Sequence, residues 1–227
     1  MGLKLFELCG QDPVRVFSPF CWRSRMALTL KGLPFESVPW RFTETDRLAF
    51  AQHDKVPVLV DGDRAVPDSW AIAQYLDATY PGTPSLLHGN PEPYLFVAAW
   101  NDTVVQAGIS RLIVSDIPPL LGEKELPYFM ESREKRFGMP LAEVTADRDV
   151  KLPAYRASLQ PMRQALKGRD FLGGAAPDYA DCIVFGTFMW ARVVSPLAVL
   201  EADDPIHAWR ERMLDLAGGM ARNAPCC

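Results

Sequence analysis

The chain has 227 residues, 48% hydrophobic and 23% charged, a balance that supports a packed core and excludes a disordered chain. A formal net charge of -4, with scattered basic residues, offers no general attraction for nucleic acid or an acidic membrane. No apolar run is long enough to span a bilayer, and Met1–Leu5 enters a strand-like pattern without a cleavage profile, so a cytoplasmic location is expected. Five cysteines at wide spacing and three distant histidines fit neither a disulfide framework nor a metal site. Cys226-Cys227 reads as a frayed end.

Taken in order, Leu3–Leu8 mostly alternates and predicts a strand. A loop with Gly10 and Pro13 follows. Trp22, Met26 and Leu30 then recur at helical spacing until Gly32 stops the helix. Pro34–Val38 restarts a strand, and residues 40–53 are polar and weakly helical. Val56–Val60 reads as a short buried strand, with Asp61-Gly62 turning it into Arg64–Val66. Ile72, Tyr75, Leu76 and Thr79 mark one face of a helix that ends before Pro81. The order is β-α-β-α-β-β-α.

Six Pro and Gly residues between Pro81 and Pro93 predict a linker. Strand patterns vanish beyond it. Helices are expected over 95–114, interrupted only by Gly108, and over 128–137, 154–166, 180–192 and 205–216. The stretch 180–190 is apolar nearly all round, which marks a central buried helix. The expected division is a small α/β domain over 1–80, a linker over 81–93 and an all-helical domain over 94–227.

Three places carry candidate chemistry. Ser18-Pro19-Phe20-Cys21-Trp22-Arg23 opens the first helix, where free N–H groups and the helix dipole favour an anion and a hydroxyl can donate to a thiolate. A plain N-cap explains Ser18 as well. Val56-Pro57 begins the third strand, either as a tolerated strand-end proline or as a cis bond that turns the backbone of Val56 toward an extended peptide. Asp68-Ser69 opens the third helix, as a cap or as a grip for a carboxylate.

In that order, these signals resemble the glutathione transferase family, and the likeness runs over nearly the whole chain. The resemblance implies a thioredoxin-like N-terminal domain followed by an all-helical C-terminal domain, with glutathione as cosubstrate. It assigns Val56 and cis Pro57 to the cysteinyl backbone of glutathione, and Asp68 and Ser69 to its γ-glutamyl end. Ser18 becomes the catalytic donor to the glutathione thiolate. Arg41 and Lys55 are candidates for the glycyl carboxylate, with solvated loop charges as the competing reading. Asp178-Tyr179-Ala180-Asp181 resembles the family's capping box, with Asp178 in place of Ser or Thr, and reads as structural.

Ser-Pro-Phe-x-Trp-Arg is further similar to the Ser-type bacterial branch related to lignin β-etherases. The expected partner is thus a small hydrophobic electrophile or aryl ether, met between the domains by the 9–17 loop and the helix around Trp100 and Val104. Tyr128, Phe129 and Met189 are core or pocket candidates. The resemblance also implies a detoxifying homodimer. Two other functions compete: thiol-disulfide exchange through Cys21, and ligand binding without catalysis. Ser18 stands where omega-type relatives have cysteine, so Cys21 reads as a packing thiol.

Overall fold

The computed structural model describes residues 2–227; Met1, the first residue of the expected N-terminal domain, lies outside the described residues. Strand β1 (Leu3–Leu8) lies in a four-stranded sheet of order β2-β1-β3-β4. It runs parallel to β2 (Phe35–Trp40) and antiparallel to β3 (Val58–Asp61). A parallel pair needs a crossover, which α1 (Pro19–Leu30) supplies. Two residues, Gly62 and Asp63, join β3 to β4 (Arg64–Pro67); Gly62 takes φ +58, a region open to glycine without steric cost. Helix α2 (Ser69–Thr79) completes the thioredoxin-like unit. The polar 40–53 stretch contains a 3-10 helix over Thr45–Ala51, where Leu48 alone is buried.

The Pro/Gly-rich stretch after α2 is anchored rather than loose. Asp77 accepts hydrogen bonds from the Leu86 and Leu87 amides and from Lys31 Nζ, the last at 2.8 Å. Lys31 is 2% exposed, and its ammonium also donates to the Pro84 carbonyl. Leu86 and Leu87 bury their side chains beneath this lock.

Beyond it come α3 (Glu92–Trp100), a π-helical segment (Asn101–Gln106) and α4 (Ala107–Ile113), which together form the expected long helix. Gly108 does not interrupt it; its missing Cβ leaves room for the Tyr155 ring, whose Cδ2 would lie 2.5 Å from such an atom. Then follow α5 (Glu125–Phe137), α6 (Leu141–Thr145), α7 (Arg148–Ser158), α8 (Gln160–Ala165), α9 (Tyr179–Val194) and α10 (Pro205–Gly219).

The expected helix over 154–166 is two helices, and α7 starts six residues earlier than expected, running through Pro153. Pro153 and Asp149 are both exposed, so the carbonyl left without a partner meets water. The short α6 was absent from the sequence expectation. Helix α9 is buried on almost every side and packs most extensively on α1. Towards the C-terminal end Ala221 is 1% exposed, and the thiol of the exposed Cys227 donates to the Val193 carbonyl at 3.3 Å. No helix among the described residues is long and apolar enough to cross a membrane, and no group of His, Cys, Asp and Glu among them is arranged to hold a metal ion.

Candidate active site

The loop between β1 and α1 is pinned on both sides before it delivers Ser18. Cys9 and Val16 bridge, the Phe17 amide donates to the Leu8 carbonyl, and Trp22 Nε1 donates to the Val16 carbonyl at 2.8 Å. Ser18 then caps α1, its Oγ accepting from the Cys21 amide at 3.3 Å, with Pro19 preset for the first helical turn. Accepting that bond leaves the hydroxyl proton free to donate outward. Ser18 is 5% exposed, so a donor aimed at an anion here works in a largely dry setting.

Val56-Pro57 is cis. Val56 precedes β3, and among the described residues its N–H and C=O make no backbone hydrogen bond. The register pairs Phe6 with Val58, so Val56 falls at the Leu8 end of β1, the same end that holds Phe17 and Ser18. Pro57 reaches the next motif directly, its carbonyl accepting the Asp68 amide at 3.1 Å. Asp68 sits at φ +75, an uncommon backbone state for a residue with a Cβ. Its carboxylate turns inward on the helix, accepting from the Trp70 and Ala71 amides at 2.8 and 3.1 Å. Ser69, 3% exposed, heads α2, and its carbonyl accepts the Tyr179 hydroxyl at 2.7 Å.

Helix α9 holds both helix N-termini. Tyr179 anchors Ser69, while Gly186 lies so close to α1 that an added Cβ would stand 2.4 Å from the Pro19 carbonyl oxygen. Seven residues of helix rise about 10 Å, and three extended residues span about the same. The two contacts that α9 makes with the helix starts are thus offset by about that length along its axis. The sequence offered Tyr179 only as part of a capping box. That box is present: Asp178 accepts from Ala180, and Asp181 accepts from the Asp178 amide. Asp181 also accepts from the Leu172 and Gly173 amides and Trp209 Nε1; burial nevertheless holds its carboxyl above the usual range.

The two basic candidates differ. Arg41 is engaged, Nε donating to the Gly10 carbonyl at 3.1 Å and Nη1 to Glu44 at 3.4 Å. Glu44 shows the pull of its neighbours: burial raises its carboxyl, but the Arg47 and Arg41 contacts outweigh it and leave it below the ordinary value. Lys55 is exposed beside Val56 and forms no ion pair among the described residues. Arg41 therefore braces the loop, while Lys55 is free to meet a carboxylate.

Cys21 is fully buried, its sulfur accepting the Leu8 amide at 3.4 Å. Burial, reinforced by Glu7, pushes its thiol up to about 12, and burial pushes Cys9 to about 11. A nucleophilic cysteine needs the opposite surroundings. The packing assignment of Cys21 fits this environment, and disulfide exchange through it does not.

At the seam between the domains, Arg23 of α1 pairs with Asp102 of the helix around Trp100 and Val104, and the β1–α1 loop meets the segment after α4, with the Gln11 amide donating to the Leu120 carbonyl at 2.8 Å. A cleft of about 440 Å³ lined by Gly10, Gln11, Asp12, Arg15, Pro119 and Leu120 follows that contact. Beside it, Phe42 stacks at tilted angles with Phe17, Tyr128 and Phe129, at centroid distances of 6.2, 5.6 and 5.9 Å. Phe42 escaped the sequence reading because it belongs to a polar, irregular stretch. Tyr128 and Phe129 join this wall, whereas Met189 is buried within α9.

Family models for the N-terminal and C-terminal domains of glutathione S-transferase match residues 14–84 and 94–213. Glutathione S-transferase U2 of Arabidopsis thaliana is 28% identical over 73% of this chain and 64% of its own length. Probable glutathione S-transferase GSTU6 of Oryza sativa subsp. japonica is 26% identical over 86% of this chain and 80% of its own. The fold is shared with glutathione transferase GSTFuA3 from Phanerochaete chrysosporium, with a TM-score of 0.77 at 23% identity, over 96% of this chain and 92% of that one. These relatives are plant and fungal, and lend no support to placement in the bacterial Ser-type, lignin-etherase-related branch. With the C-terminal model alone matching more than half of its residues, the chain belongs to the glutathione S-transferase family.

Proposed function

We propose that this chain transfers glutathione to a hydrophobic electrophile, holding the tripeptide along the edge from Ser69 through Val56 to Ser18. The observation that carries the reading is that α9 holds both helix starts, through contacts offset along its axis by about the length of three extended residues, with the unpaired backbone of Val56 on the same edge as Ser18. The γ-glutamyl carboxylate meets the Ser69 amide and hydroxyl at the start of α2, where Asp68 holds the Trp70 and Ala71 amides. Val56 pairs with the cysteinyl backbone beside cis Pro57, and Lys55 receives the glycyl carboxylate. Arg41 supports this end through Gly10 rather than by direct contact.

The glutathione sulfur then lies before α1. The Ser18 hydroxyl and the helix dipole favour its thiolate, so the thiol loses its proton nearer neutral pH than in water. The thiolate attacks the electrophilic carbon, and the leaving group departs with the electron pair of the broken bond. The protein contributes orientation and charge stabilisation. Halides and aryl ethers both fit this chemistry, and the etherase-like Ser-Pro-Phe-x-Trp-Arg stretch is the argument for including the ethers. Working in the cytoplasm as a homodimer also suits the family, and the exposed rings of Phe50 and Phe96, at 55% and 77%, are available for burial between subunits.

The test is Ser18→Ala. Turnover of a generic aryl halide is expected to fall about 10²-fold, with the glutathione KM changed only a few-fold. The apparent pKa of the bound thiol should also rise toward the free value of about 8.5. Undiminished turnover would remove Ser18 from the mechanism, and glutathione binding without any turnover would favour a ligand-binding role.

A further inference from the structure

Arg133 of α5 stands at the end of the aromatic wall that starts beside Ser18. Its guanidinium carbon lies 5.0 Å from the centroid of Phe129 and 5.5 Å from that of Phe42. Its one side-chain hydrogen bond among the described residues is from Nη1 to Ser132 Oγ, at 3.0 Å. No carboxylate among those residues lies within ion-pair distance of it. Arg25, Arg148 and Arg163 are comparably half-buried, and each holds a carboxylate. The acidic neighbours on its own helix do not serve it; Glu134, one residue on, accepts the Leu141 amide. Burial and the nearby Arg136 both work against its charge. A half-buried cation without a counter-ion is costly unless something supplies one.

The wall is continuous. Phe17 directly precedes Ser18, Phe42 bridges the domains, and Phe129 and Tyr128 carry the surface onto α5. Phe129 is 2% exposed, whereas Tyr128 is 48% exposed, so the wall opens to solvent on the Tyr128 side. An aromatic electrophile lying on this surface with its reactive carbon toward Ser18 extends its far end toward Arg133. Flat rings suit the Phe42 and Tyr128 faces, and a guanidinium offers paired donors in the geometry of a carboxylate.

We infer that Arg133 is a specificity-determining residue of the electrophile pocket, selecting aromatic substrates that carry a carboxylate distal to the reacting carbon. This rests on the glutathione-transfer reading and adds the substrate class to it. The glycyl carboxylate of glutathione is a poorer occupant, because Lys55 already stands unpaired beside Val56 at the peptide edge.

Two conjugates test this without depending on turnover. S-Benzylglutathione and S-(4-carboxybenzyl)glutathione share the tripeptide and differ only in the distal carboxylate. By titration calorimetry the wild-type protein should bind the carboxylated conjugate about tenfold more tightly, the scale of one charge-assisted hydrogen bond. Arg133→Gln should erase that preference while leaving S-benzylglutathione within about twofold, and Arg133→Lys should retain part of it. Equal binding by the wild type, or a preference that survives in Arg133→Gln, overturns the inference. An equal loss of both conjugates in both variants also overturns it, assigning Arg133 to the glycyl end or to the domain joint. If S-benzylglutathione does not bind the wild type at all, the glutathione site itself is wrong, and the inference falls with it.

Discussion

The edge proposed to bind the peptide and the interdomain joint obey different rules, although they meet at the same two helix starts. At the edge, partners are close in sequence: Ser18 caps an amide three residues on, and Asp68 caps amides two and three residues on. At the joint, partners are remote. Tyr179 reaches back 110 residues to Ser69, Arg23 pairs with Asp102, and the Gln11 amide donates to the Leu120 carbonyl. The edge supplies chemical groups that any helix start can offer. The joint decides where those groups stand relative to one another, and the spacing of the site belongs to it. Damage to the joint should therefore cost more stability than damage to a cap, and should reach function indirectly.

The largest expected effect tests the lock below the joint. Asp77→Ala leaves Lys31 buried without its carboxylate, and should lower unfolding stability by about 3 kcal/mol in urea titrations. The same lock should weaken in acid. Burial raises the Asp77 carboxyl, but Lys31 and the Leu86 and Leu87 amides outweigh it and hold it below the ordinary value. Its contribution is complete above the unfolded value near ~3.9 and is lost as pH falls through the lower folded value. Wild type and Asp77→Ala should therefore converge in stability only in strong acid; convergence at neutral pH would count against the lock.

A smaller effect bears on the joint itself. Gly186→Ala places a methyl against the Pro19 backbone, where no side chain can swing aside. Overpacking of this kind should cost about 2 kcal/mol and raise the glutathione KM, since α1 carries Ser18 with it. An unchanged denaturation midpoint would mean that the joint yields as easily as a loop. The mildest change sharpens the other side of the comparison. Asp68→Ala removes a cap worth about 1 kcal/mol, whereas Asp68→Asn keeps an acceptor and a residue tolerant of positive φ. Thermal melts should rank Asn near wild type and Ala below it. Equal loss in both would show that the charge of Asp68, rather than its cap, is what matters there.

What the sequence determined by itself was local. Alternation in Leu3–Leu8, apolar spacing in α1 and α2, the Asp61-Gly62 turn and the caps at Ser18, Asp68 and Asp178 all rest on contacts within about one turn, so residue type suffices to find them. The fold class followed from their order. The start of α7 was hidden because Pro153 is a helix-start residue by rule, and only its exposure lets the helix run through it. Lys55 and Arg41 looked alike in sequence, and Glu44 with the Gly10 carbonyl separates them.

Tertiary structure alone decided the rest. Gly186 is an unremarked residue in an apolar helix until α1 lies against it, and Phe42 belongs to no periodic pattern until Phe17 and Phe129 close on it from two domains. The physical reason is range. Caps and periodicity are short-range and written in neighbouring residues. The separation of two helix starts, or the missing counter-ion of an arginine, exists only once distant segments share one packed interior.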